Sequence, residues 1–148
     1  MNRPVVITVS GACAKAGKTL LIEKLLPAFG NAAAVKAQVR EDHDFSLTEE
    51  SDSSESPGKD TSRYLAAGAR RAFLISGPRD RVAEAVNEMI SRKRFDVIII
   101  ESNTMAIHLE SDISFFVRGE GPGKPGAEEC EKRADMVVSS VSLKNRRH

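Results

Sequence analysis

The chain has 148 residues, 41% of them apolar, with 22 basic and 21 acidic side chains and a net charge of +1. That near-neutrality leaves no global field to draw in nucleic acid or an anionic membrane surface, and no apolar run approaches the roughly 20 residues a bilayer span needs. Two cysteines, Cys13 and Cys130, make no disulfide framework, and the N-terminus lacks the apolar core of a secretory leader, so one domain in a reducing cytoplasm is expected.

Pro4 to Val9 reads as a strand with β-branched residues on both faces, as in a buried parallel sheet. A loop of small residues follows and closes with Gly17-Lys18-Thr19, leading into an amphipathic helix from Lys18 to Phe29 with Leu21, Ile22, Leu25 and Leu26 on one face. Strand, loop, Gly-Lys-Thr and helix form a phosphate-binding P-loop. The chemistry requires this order. Successive backbone N–H groups wrap a phosphate, and the helix adds the positive end of its dipole. The expected cradle is Ala12, Cys13, Ala14, Lys15, Ala16, Gly17, Lys18, Thr19 and Leu20. Lys18 would bridge the β- and γ-phosphates as the catalytic cation, and the Thr19 hydroxyl would ligate Mg²⁺. Ala12 stands where the pattern usually has glycine, with Gly11 one residue earlier.

Ala33 to Val39 is the second predicted strand. Residues 41–60 are acidic, serine-rich and nearly free of large apolar side chains apart from Phe45 and Leu47. Such a composition cannot order itself by burial, so the segment is either a loose surface loop or a switch that folds over a nucleotide. Asp60 to Ala69 reads as a short helix with Asp60 as N-cap, Arg71 to Ser76 as a strand broken by Gly77-Pro78, and Arg79 to Arg94 as a helix with Val82, Val86, Met89 and Ile90 inward. Phe95 to Ile100 is an apolar strand ending at Glu101, a carboxylate placed either to reach Mg²⁺ or simply to meet solvent. Ser114 to Val117 is a strand, Gly119 to Gly126 a loop, Ala127 to Arg133 a short helix, Met136 to Ser139 the sixth strand, and Leu143 to His148 a basic, frayed tail. The alternation predicts a three-layer α/β fold, a mostly parallel sheet with helices on both faces.

Asp42-His43-Asp44-Phe45, and Ser56-Pro57-Gly58-Lys59-Asp60-Thr61-Ser62 running on to Ala67-Gly68-Ala69, join the P-loop in a pattern. It resembles the molybdopterin-guanine dinucleotide biosynthesis protein B family of P-loop NTPases. The resemblance implies a homodimer that binds GTP (or ATP) with Mg²⁺, hydrolyses it slowly, and assists the molybdopterin guanylyltransferase. It also implies a catalytic and metal-holding role for Asp60 beside the γ-phosphate, which joins Thr19 and Glu101 as an expected metal ligand; Lys59 beside it either contacts phosphate or is simply solvated. The chain departs from the family at Leu20, where a second threonine is common, and at Glu101-Ser102-Asn103-Thr104, where Glu-Gly-aromatic is usual. No Asn-Lys-x-Asp guanine-reading motif is present, so guanine preference rests on the resemblance. Two alternatives stay open: a small-molecule kinase with an acceptor pocket built from Arg63, Arg70 or Arg118, and a nucleotide-binding adaptor without catalysis.

Overall fold

The computed structural model describes residues 3–13, 17–51, 60–120 and 123–145. Seven strands form one sheet in the order β3-β4-β2-β5-β1-β6-β7. They are β1 (Val5–Gly11), β2 (Ala32–Val39), β3 (Ser46–Glu49), β4 (Arg71–Gly77), β5 (Val97–Glu101), β6 (Ile113–Arg118) and β7 (Met136–Ser139). All pair in parallel except β3, which runs antiparallel along the outer edge of β4. The helices are α1 (Lys18–Leu25), α2 (Asp60–Ala66), α3 (Arg79–Ser91), α4 (Asn103–His108), α5 (Ala127–Arg133) and α6 (Ser140–Asn145).

Alternation along the central strands divides the core in two. Ile7, Val9, Val97 and Ile99 face α1, α2 and α6, packing with Leu21, Ile22, Tyr64 and Leu143. Val6, Ile98 and Ile100 face the other way, onto Val82, Val86 and Met105 of α3 and α4. A strand apolar on both sides belongs in a sheet covered on both faces, and β5 is buried at every position. The predicted three-layer α/β fold is therefore present. No described helix is long and apolar enough to cross a membrane.

Three segments differ from the sequence expectation. Residues 46–49 of the acidic segment form the edge strand β3. An edge strand needs only one neighbour's backbone ladder, so its polar composition does not prevent pairing. Phe45 anchors the entry to β3, with the Arg81 guanidinium 4.6 Å above its ring. Residues 52–59, including Lys59, lie outside the described residues. Secondly, α4 follows β5 directly: the Ser102 hydroxyl accepts the Met105 N–H at 3.1 Å and caps a helix too short to show a clear period. Thirdly, residues 140–145, which overlap the expected tail from Leu143 on, form α6, because Leu143 has an apolar site to fill and is 6% exposed. The first helix also ends earlier than expected, at Leu25, giving way to a single 3-10 turn, Leu26–Ala28, that contains Pro27.

Gly77 ends β4 at φ 140°, where a Cβ would lie 2.8 Å from the Phe45 Cα. Both the dihedral and the backbone contact demand glycine. Gly77→Ala is expected to cost about 2–4 kcal/mol of stability in urea unfolding. A loss below about 0.5 kcal/mol would mean that the Phe45 turn shifts freely.

Candidate active site

The carboxyl ends of β1, β2 and β5 lie side by side and open into a cleft of about 750 Å³. In an open parallel sheet this is where ligands bind. The β2–β5 register pairs Lys36 with Glu101, and the β1–β5 register pairs Val9 with Glu101. Glu101 follows Val97 and Ile99 onto the α1/α2 face, and it is 5% exposed.

A carboxylate taken so far out of water needs partners. Tyr64 of α2, fully buried, donates its hydroxyl to Glu101 Oε1. The Thr19 hydroxyl donates to the same oxygen at 3.3 Å. Lys36 Nζ lies 3.5 Å and Lys18 Nζ 3.9 Å from Oε2. Lys36 also pairs with Asp60, and the Asp60 carboxylate is within hydrogen-bonding reach of Thr19. Lys18, Thr19, Lys36, Asp60, Tyr64 and Glu101 thus form one network. Sequence reasoning had identified Lys18, Thr19, Asp60 and Glu101 as site residues; the structure brings these four together.

The titrations follow from burial. Desolvation lowers the Lys18 pKa, the adjacent Lys124 and Lys36 ammonium groups lower it further, and Glu101 opposes them. Burial works against both charges of the Lys36–Asp60 pair. The contact overrides it, so Lys36 is raised and Asp60 lowered. Desolvation, reinforced by the Glu101 charge, raises Tyr64 well above its ordinary value.

Gly17 turns the chain into α1 at φ 106°, and its carbonyl accepts the Leu21 N–H at 2.9 Å. The Leu143 Cδ1, Ser140 Cβ and a Val117 methyl surround the position where a Cβ would stand. Helix α6 therefore packs against the end of the phosphate loop. At the loop's start, Asn103 accepts the Gly11 N–H and donates to the Gly11 carbonyl, both at 2.9 Å. The departure at Ser102-Asn103 thus has two local uses, a helix cap and a clamp on the loop. Ala12 hydrogen-bonds through its N–H to Val117 O and through its carbonyl to Lys124 N. Cys13 and Leu20 are partly buried against the core. The expected cradle residues Ala14, Lys15 and Ala16 lie outside the described residues.

Asp42 and His43 contact each other on the exposed surface, as does Asp44 its solvent, and none of them lines the cleft. The arginines suggested as an acceptor pocket are not gathered: Arg63 forms a bidentate pair with Glu23 of α1, Arg70 reaches Asn31, and Arg118 pairs with Glu131.

A family model described as molybdopterin guanine dinucleotide synthesis protein B matches residues 6–107, which run from β1 into α4 and contain the network above. The chain belongs to this family. Membership ties this member of the molybdopterin guanine dinucleotide synthesis protein B family to synthesis of that dinucleotide and to nucleotide binding. A search of curated proteins gives no match.

Lys36, Tyr64 and Lys124 escaped sequence reasoning. Lys36 carried a signal, as a lone charge in an otherwise uncharged strand. Tyr64 reads as an ordinary core residue of a short helix, and Lys124 sits in a glycine-proline loop with no periodicity.

Tyr64 is the only tyrosine and there is no tryptophan, so near-ultraviolet phenolate absorbance reports on this one hydroxyl. The folded chain is expected to form no phenolate until well above pH 10, whereas the unfolded chain titrates near 10. A raised folded pKa means that this stabilisation is complete below the unfolded value and is lost as pH rises through the folded one. Glu101→Gln should bring the midpoint down. A native midpoint near 10 would contradict the buried Tyr64–Glu101 contact.

Proposed function

We propose that the chain binds GTP as its magnesium complex in this cleft and hydrolyses it slowly, in support of guanylate transfer to molybdopterin. The observation that carries this reading is the convergence in one cleft of Lys18 and Thr19 from the first turn of α1, Asp60 from the start of α2 and Glu101 from the end of β5. Guanine preference, a homodimeric state, cooperation with the molybdopterin guanylyltransferase and a cytoplasmic setting are inferred from the family relationship.

The donor set suits Mg²⁺. This ion takes oxygen ligands, and it binds through one or two carboxylates together with substrate phosphates and water. Asp60, Glu101 and the Thr19 hydroxyl supply hard oxygens on one side of the cleft, and the described residues hold no group of three acidic, histidine or cysteine ligands that would form an all-protein cage. Bound there, the ion would offset charge on the phosphoryl oxygens. Tyr64 holds the Glu101 carboxylate in place, and Lys18 meets the charge of the terminal phosphates. A desolvated lysine is expensive without an anion, and a triphosphate relieves that cost.

Slow turnover follows from the shortage of a base. Among the described residues the cleft is lined by no histidine. Asp60 is held ionised by Lys36, with its pKa below the usual carboxylate value, so it is a weak proton acceptor.

Lys18→Ala is expected to weaken GTP binding by about a hundredfold in calorimetry. Glu101→Ala and Thr19→Ala should reduce Mg²⁺-dependent hydrolysis by about ten- to a hundredfold, and binding by less. Parental GTP affinity in Lys18→Ala would overturn the phosphate-site reading. Parental hydrolysis in Glu101→Ala would remove Glu101 from the metal.

A further inference from the structure

Gly123 and Lys124, which precede α5, lie against Ala12 at the end of β1. The Lys124 N–H donates to the Ala12 carbonyl at 2.7 Å, and the position of a Gly123 Cβ is 3.9 Å from the same oxygen. This attachment is made by backbone atoms, which leaves the Lys124 side chain free to reach into the cleft that Lys18 also lines. Both side chains line the one cleft, and the Lys124 charge opposes that of Lys18. Among the described residues Lys124 has no carboxylate partner, whereas Lys18 has Glu101 and Lys36 has both Asp60 and Glu101.

Two ammonium groups brought together beside a desolvated site repel each other, and folding alone gains nothing from the arrangement. An anion between them reverses the sign of the interaction. Each ammonium is a point donor, so two in contact can share the oxygens of one phosphoryl group.

We propose that Lys124 is a second phosphate-binding lysine, supplied within the same chain by the β6–α5 loop, which grips the terminal phosphoryl group together with Lys18. This rests on the phosphate-site reading above. It adds a residue from beyond the stretch that the family model matches, residues 6–107.

The test is calorimetric titration of the full chain with GTP, GDP and GMP, in the parent, Lys124→Ala, Lys124→Arg and Lys18→Ala. Because the tether to Ala12 is a backbone bond, Lys124→Ala should keep the parental melting temperature. It should lose about ten- to a hundredfold in GTP affinity, less for GDP and almost nothing for GMP, and Lys124→Arg should recover most of the loss. Equal losses for GTP and GMP would mean a diffuse field rather than a grip on the terminal phosphate, and would overturn the proposal. Parental GTP affinity in Lys124→Ala, with Lys18→Ala defective, would overturn it while leaving the phosphate site standing. Parental affinity in Lys18→Ala would instead remove the site on which it rests.

Discussion

The arrangement of this protein's cleft depends on one buried carboxylate. Glu101 ends the central strand β5 almost out of contact with water. A charge in that position is tolerated only when hydrogen bonds and cations repay its lost hydration. The repayment comes from every neighbouring direction: Tyr64 from α2, Thr19 and Lys18 from the first turn of α1, and Lys36 from β2. Satisfying Glu101 therefore fixes the relative placement of α1, α2 and the strand ends. Lys18, Thr19, Lys36 and Glu101 then line the one cleft at the strand ends. Such preorganisation is the usual source of catalytic electrostatics, because no dipole has to reorient when the ligand arrives.

The sheet makes the arrangement possible. Parallel strands bring their carboxyl ends to one edge, and the register Lys36–Glu101–Val9 sets a lysine, a carboxylate and the strand feeding the phosphate loop side by side. Around this edge, short segments act as braces. Asn103 holds Gly11 from both backbone groups, Leu143 packs where Gly17 turns, and Lys124 ties its loop to Ala12. The braces come from α4, α6 and the β6–α5 loop, each a short piece of chain whose position is given by tertiary contact.

That origin explains what could be read from the sequence. The strand and helix on either side of Gly17 were legible because the strand is a long apolar run and Gly17-Lys18-Thr19 marks the turn into an amphipathic helix. Glu101 was legible because a carboxylate at the end of such a strand is conspicuous. The central strands declared themselves as continuous apolar runs, and α3 by its period. The edge strand β3 did not, since its order comes from a backbone ladder with β4 and from Phe45 under Arg81. The second half of α6 looked like a basic tail because Leu143 is a lone large apolar side chain there, and its buried site comes from tertiary packing. Tyr64 and Lys124 acquire their chemical meaning from partners distant in sequence, Glu101 and Lys18, and no local pattern encodes that. The resemblance of residues 42–45 and 56–69 to one family proved informative about ancestry, yet His43 and Asp44 lie away from the cleft, while Asp60 and Tyr64 join the network around Glu101.

The central claim is that the Glu101 network is a preformed seat for a magnesium–triphosphate complex. A crystal structure of the chain grown with Mg²⁺ and a non-hydrolysable GTP analogue tests it most directly. The account predicts the terminal phosphates on Lys18, and the ion on oxygens of Thr19 and of Glu101 or Asp60, with Tyr64 still bonded to Glu101. A nucleotide bound elsewhere, or bound in the cleft with Glu101 rotated away and Lys18 uninvolved, would contradict it.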